Sequence, residues 1–355
     1  MKIRLTEENV LLTGRTYKEE DTLWLTLSGT GASFIYTGKK LTITAVGGPA
    51  ATVPDNHGNY ARFAVYADDK RVVDDLLDCA EKTYTIWEST EKKEVLIRII
   101  KLSECAMSVL GIKDPEIAEG ETIVPASCKE HLIEFIGDSI TCGYGVDDED
   151  PLHSFSTATE DVTKAYAYKS AALLKADYSM FSISGYGIIS GYTDNPEVKS
   201  AEQLIPLYYE SYGFSYDTFP EEKKPQEMPW SFAGRKPEAI VINLGTNDDS
   251  YCQDNLKKQA EYRDEYVRFL KMVRQKNPGA YLFCVLGLMG DRLYPMVEEA
   301  CRLYREETKD ERILSFRLPE QDKTAGYVAD YHPLSSAHDL AAAKAAEEIR
   351  NVMRW

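Results

Sequence analysis

Near residue 130 the chain changes texture, and that change constrains its fold more than any other feature of the 355 residues. Up to about residue 125 the sequence runs in short segments that alternate apolar and polar side chains. LWLTLSGTGASFIYTG (23–38), LTITAV, YARFAVYAD, KTYTIWEST and EVLIRIIKL follow one another, separated by clusters of Gly, Asp, Asn and Lys. A period of two is that of a strand with one buried face, and no helical stripe interrupts it. Strands of this kind hide that face by stacking sheet on sheet, so an all-β sandwich is expected over residues 1–125. Residues 114–127 (DPEIAEGETIVPAS) read as a linker, or as a last strand plus a linker.

From about Leu132 short apolar strands alternate with helical stretches. LIEFIG, YSMFSIS, AIVINLG, YLFCVLG and RILSFRL are the strands. KAYAYKSAALLKA, LKKQAEYRDEYVRFLKMVRQ, YPMVEEACRLYREE and a closing SSAHDLAAAKAAEEIRNVMR are the helices. Near-continuous apolar strands between helices imply a parallel sheet covered on both faces, here an α/β/α domain over 126–355. Such sheets carry their sites at the carboxyl ends of the strands. Residues 208–230, rich in Tyr, Glu, Pro and Lys, interrupt the alternation as a long loop.

The net charge is −17, with no basic run. Nucleic acid and anionic membrane surfaces are therefore unfavourable partners, and a neutral substrate is easier to accommodate. There is no run of about 18 apolar residues, the length needed to cross a bilayer. The opening MKIRLTEENV has no apolar core of a secretory signal. Seven cysteines, an odd number without a CxxC pair, read as reduced thiols of a cytoplasmic protein. A homo-oligomer is left open.

Each strand end of the second half carries something unusual. Gly137-Asp138-Ser139-Ile140-Thr141 follows the first strand, Gly185 and Gly187 the second, and Thr246-Asn247-Asp248 the third. Asp330-Tyr331-His332-Pro333 precedes the last helix. A parallel sheet brings these pieces to one edge. The chemistry they suit is nucleophilic acyl transfer, in which a serine hydroxyl needs a base within hydrogen-bond reach. Of the five histidines, only His332 and His338 lie where a strand-end site is reachable, and His332 has an acid two residues earlier. Gly187 or Gly185, with the Asn247 amide, suits the donors an oxyanion needs. No cofactor is called for. A metal site built from His332, His338 and Asp330 lacks a recognised ligand spacing. His338 reads as a helix-surface residue, Asp138 as a holder of the serine turn, and Tyr144 as packing.

These four blocks resemble those of the SGNH (GDSL-type) hydrolases over about 132–355. The resemblance implies Ser139 as nucleophile and His332 as base. It implies an oxyanion hole made by the Ser139 and Gly187 amides and the Asn247 side chain. With GRTYKEEDTLWLTLSGTGASFIYTG ahead of GDSITCGYG, nearly the whole chain is similar to carbohydrate esterase family two. That likeness implies an N-terminal jelly roll before a flavodoxin-like SGNH domain. It also implies removal of acetyl groups from sugars of plant polysaccharides such as xylan and glucomannan. The expected partner is then an acetylated oligosaccharide, with Tyr192, Tyr331 and Gly185 as candidate substrate contacts. Asp330 stands two residues before His332, where most SGNH enzymes place the acid three before. Some members of family two use a backbone carbonyl instead, so the third member of the triad is either Asp330 or a carbonyl. Two other readings stand beside this one: an SGNH lipase or thioesterase acting on other esters, and a catalytically silent carbohydrate-binding protein.

Overall fold

The structure is a computed structural model that describes residues 1–53 and 57–355. The chain forms two compact units. One comprises Met1–Cys128, Ser156–Glu160 and Ser211–Pro229; the other comprises Lys129–Phe155, Asp161–Glu210 and Trp230–Trp355.

The first unit is an antiparallel β-sandwich. Its strands are β1 (Leu11–Thr13), β2 (Thr16–Glu19), β3 (Thr22–Leu25), β4 (Gly31–Gly47), β5 (Ala61–Ala67), β6 (Lys70–Leu77), β7 (Glu81–Lys101), β8 (Leu110–Lys113) and β9 (Thr122–Pro125). They run in the order β2-β3-β8-β4-β7-β5-β6, with β1 and β9 also paired to β4. The long pair β4–β7 is the frame. Its register shifts between Gly38 and Lys40, and the first half of β4 pairs with β1 and β9 while the second half pairs with β8. Alternate residues such as Phe34, Tyr36, Leu41 and Ile43 point into a common core with Phe63, Ile97 and Ile99. The stretch 23–38 is not one strand, because the buried turn at Thr26–Thr30 separates β3 from β4. The segment 114–127 contains the edge strand β9.

The loop at 208–230 is largely a piece of this first unit. Arg15 Nη1 donates to the Ser211 carbonyl at 2.5 Å, and Thr26 Oγ1 to the Tyr212 carbonyl at 2.8 Å. The buried Asp217 carboxylate accepts the amides of Ala50 and Val109, each at 3.0 Å. Phe219 packs its ring against Tyr17 and Trp24. A single crossing at 125/126 does not anticipate this excursion, nor the shorter one at Ser156–Glu160.

The second unit is a three-layer α/β/α sandwich. Its elements are β10 (Leu132–Gly137), α1 (Ser139–Cys142), α2 (Tyr166–Leu173), β11 (Asp177–Ser182), α3 (Ile205–Tyr208), β12 (Ala239–Asn243), α4 (Thr246–Cys252), α5 (Leu256–Lys276), β13 (Tyr281–Leu288), α6 (Tyr294–Thr308), β14 (Ile313–Glu320) and α7 (Ser335–Met353). All strands are parallel, in the order β11-β10-β12-β13-β14, the flavodoxin-like arrangement. The chain leaves β10 to one side for β11 and returns on the other side as β12. The crevice outside this reversal is where such sheets bind ligands, and Ser139 and Asn247 follow these two strands. Helices pack as α2 with α7 and α5 with α6. Alanines at 337, 341, 342, 345 and 346 line the buried side of α7 and let α2 approach closely. His338 is buried on that same face, not on the helix surface. Its Nδ1 accepts the Tyr166 amide at 3.1 Å, which satisfies a donor of the first turn of α2. Among the described residues no helix is long and apolar enough to cross a membrane.

Candidate active site

The backbone turns sharply after β10, and Asp138 caps α1 by accepting the Ile140 amide on Oδ1 at 3.0 Å. That fixes Ser139 at the first helical position, buried and lining the cavity described below. His332 sits on the turn that leads into α7. Its Nε2 lies 2.8 Å from Ser139 Oγ. Its Nδ1 lies 3.1 Å from the Ala329 carbonyl and 3.2 Å from the Asp330 carbonyl. Both Nδ1 partners are acceptors, so the ring proton resides there and Nε2 keeps a lone pair facing the serine. Burial pushes the imidazole down to about 4, opposed by the Ala329 carbonyl and the Asp330 charge, so the ring is neutral near pH 7.

The Asp330 carboxylate does not support His332 directly, contrary to the reading of Asp330 as the third catalytic member. Asp330 and Tyr331 are consecutive residues in the left-handed region, with φ of 47° and 57°. This reversal brings the Asp330 carbonyl onto the imidazole, while the side chain accepts a hydrogen bond from the Tyr144 hydroxyl. The Tyr144 ring in turn stacks on His332, with centroids 3.8 Å apart and planes 16° from parallel. Tyr144 is therefore more than packing. Its signal in the sequence is the Gly-Tyr-Gly that trails GDSITC. A Cβ at Gly145 would lie 2.9 Å from that of Ala329, so only glycine lets this loop close on the histidine turn.

The two candidate glycines differ in what their amides face. Gly187 donates its amide to the Gln203 carbonyl at 3.1 Å, so that N–H is not available to an oxyanion. A Cβ at Gly187 would lie 2.1 Å from the Ser190 carbonyl oxygen, which makes it a close-packing glycine. Gly185 (φ 82°) lines the cavity beside Ser139, and its amide has no acceptor among the described residues. Asn247, at the start of α4, completes the group. Its Nδ2 donates to the Tyr186 carbonyl at 2.9 Å and lies 3.3 Å from Asp138 Oδ2. Burial raises Asp138 to about 7, against the Ile140 amide that favours its charge. The neighbouring Asp248 accepts the amides of Ile188, Ile189 and Ser190 at 2.7–3.1 Å. It thereby ties the loop after β11 to α4. Burial lifts Asp248 to about 6 in spite of those three donors.

Ser139, His332, Gly185 and Asn247 open on one cavity of about 660 Å³. Tyr192 and Tyr331 line it with more than half their surface exposed, 57% and 54%. Leu286, Met289 and Leu293 add apolar wall, and Arg292 stands 3.4 Å from Asp249. The arrangement holds a serine, its base and convergent donors in one pocket, as acyl transfer requires.

The profile of the GDSL-like lipase/acylhydrolase family matches residues 135–340, and that of the carbohydrate esterase 2 N-terminal domain matches residues 12–126. The chain is similar to the cellulase/esterase CelE of Acetivibrio thermocellus, 29% identical over 262 residues, which are 72% of this chain and 30% of that protein. It is also similar to an acetylxylan esterase / glucomannan deacetylase of Cellvibrio japonicus, 30% identical over 167 residues, 43% of this chain and 41% of that one. The chain thus matches less than half the length of either curated relative. The solved structure of an acetyl xylan esterase from the rumen bacterium Butyrivibrio proteoclasticus superimposes with a TM-score of 0.86 at 23% identity, covering 100% of this chain and 98% of that one. That likeness is one of fold, jelly roll included.

Proposed function

The chain belongs to the GDSL-like lipase/acylhydrolase family and carries a carbohydrate esterase 2 N-terminal domain ahead of it, and from that premise we propose that it is a serine esterase removing O-acetyl groups from plant-derived oligosaccharides. The observation that carries the reading is the 2.8 Å approach of His332 Nε2 to Ser139 Oγ, with Nδ1 held by two carbonyls.

In this reading His332 takes the Ser139 proton as the hydroxyl attacks the acetyl carbonyl. The oxyanion is met by the amides of Ser139 and Gly185, and by Asn247 Nδ2 when it exchanges the Tyr186 carbonyl it holds at 2.9 Å for the oxyanion. Each such donor stabilises the transition state by about 3–4 kcal/mol. The C–O bond to the sugar breaks as the imidazolium gives its proton to the departing sugar oxygen, leaving acetyl-Ser139. Water then attacks with His332 again as base, the Ser139–acetyl bond breaks as His332 returns the proton to Ser139 Oγ, and acetate leaves. Tyr192 and Tyr331 offer ring faces to a sugar at the cavity mouth. The similarity to an acetylxylan esterase supports the acetylated sugar as substrate. None of the seven cysteines is in a disulfide; if the compartment is the cytoplasm, the substrate is a short imported oligosaccharide and not polymer.

Acetate release from acetylated xylo-oligosaccharides, compared between the wild type and Ser139→Ala, tests the proposal. Release that vanishes in the variant is the expected result. Turnover of long-chain acyl esters with none of acetyl would replace the sugar esterase by a lipase or thioesterase. Sugar binding without turnover of any ester would leave a binding protein.

A further inference from the structure

The base in this site lacks the carboxylate that usually backs a catalytic histidine, yet a carboxylate stands one ring away. Asp330 accepts the Tyr144 hydroxyl, and the face of Tyr144 covers the face of His332 at 3.8 Å. Phe155 packs on Tyr144 with centroids 5.0 Å apart, so the phenol is held between neighbours. We propose that Tyr144 and Asp330 are joint positioning residues for His332, the carboxylate fixing the phenol and the phenol face fixing and stabilising the imidazolium. This rests on His332 being the base of the reaction proposed above.

The chemistry follows from the ring's charge distribution. An aromatic face carries partial negative charge and attracts a cation laid on it. A phenol that donates its proton to a carboxylate is polarised further, since hydrogen bonds in a chain strengthen one another. When Ser139 loses its proton to Nε2, the new positive charge spreads over a ring lying on that face. The Nδ1 proton stays with the Ala329 and Asp330 carbonyls, and no proton moves to Asp330. The titratable groups facing His332 are Ser139 from α1, Tyr144 from the following loop, Asp330 from its own turn and His338 from α7. Of these only Asp330 brings a negative charge, and it favours the protonated ring. Its charge thus reaches the base through a stacked ring in place of a direct hydrogen bond.

Tyr144→Phe, Asp330→Asn and their combination test the proposal in two ways. Each single change is expected to lower kcat about tenfold with KM moved less than twofold, within the range that positioned proton transfer supplies. The combination is expected to cost no more than either alone. Additive losses, or kcat unchanged in Tyr144→Phe, would overturn the coupling. The second readout needs no turnover. In protein labelled with ¹³C-histidine, the His332 ring signal, assigned with His332→Gln, feels the ring current of Tyr144. Asp330→Asn and Tyr144→Phe are both expected to move it; an unmoved signal in both overturns the proposal. A wild type inactive on every ester would refute the esterase reading, while the ring signal still decides this one.

Discussion

His332 is neutral because it is buried, and a neutral imidazole is the state that the proposed base requires. In that proposal the neutral form is the active one, and burial holds the folded pKa at about 4 against an ordinary value of 6.5. Lowering the pH from neutral therefore leaves the base unprotonated until the pH approaches that value. The acid limb of kcat/KM is expected well below pH 6, and a limb centred near 6.5 in the pH–rate profile would contradict it. Replacing His332 by alanine removes the proton acceptor and should cost at least about 10³-fold in turnover. Asp330→Ala leaves both carbonyl contacts of the imidazole in place and should cost far less. The glycines separate in a similar way. Gly185→Ala meets no neighbour but strains a positive φ, so the fold should survive while kcat falls. Gly187→Ala meets the Ser190 carbonyl and Asp248, so thermal unfolding should drop before chemistry is asked of it. That Ser139, His332 and Asn247 gather in one cavity was legible from strand-end placement together with the family resemblance, which chose His332 over His338. The choice between Gly185 and Gly187 was not, because it depends on which amide already has an acceptor. The displacement of the Asp330 carboxylate was hidden too, since two successive left-handed residues leave no mark in Asp-Tyr.

At the scale of elements, the loop after β11 that lines the cavity is fixed by a buried carboxylate. Asp248 gathers three backbone amides after β11, and each would be left buried and unpaired by its loss. Asp248→Ala is expected to destabilise the protein by about 2–3 kcal/mol, read as a lower denaturant midpoint, and to depress activity through the Gly185 loop. The helices and strands of the second unit stood out because a parallel sheet demands apolar runs that a periodic helix then covers. The sandwich was harder. β4 and β7 are each one long strand where the pattern reads two, because Gly38-Lys39-Lys40 and Ser89–Lys93 resemble turn clusters. In the fold these polar stretches are largely solvent-facing, and the β4–β7 ladder steps past them from the Gly38–Lys93 pair to the Lys40–Glu88 pair. Exposure, not chain reversal, accounts for their composition.

At the scale of the whole molecule, the two units are not consecutive in the chain. Residues Ser211–Pro229 leave the α/β/α unit and supply Tyr212, Asp217 and Phe219 to the sandwich. No local periodicity announces such an excursion, since its hydrogen-bond partners Arg15, Thr26, Ala50 and Val109 are 108 to 196 residues upstream. A fragment of residues 129–355 keeps this segment but removes what it packs on. Limited proteolysis is expected to cut that fragment within 211–229 and to spare the same segment in the full chain.

The same excursion sets an order of events during synthesis. The last strand of the sandwich, β9, ends at Pro125, yet the unit lacks Asp217 and Phe219 until Pro229 has been made. At roughly 5–20 residues per second the ribosome needs about 5–20 s to add that stretch of chain. Over that interval the amides of Ala50 and Val109 await their carboxylate, and Tyr17 and Trp24 await Phe219. The half that is translated first is thus completed by a segment of the half that is translated second, and the two mature together.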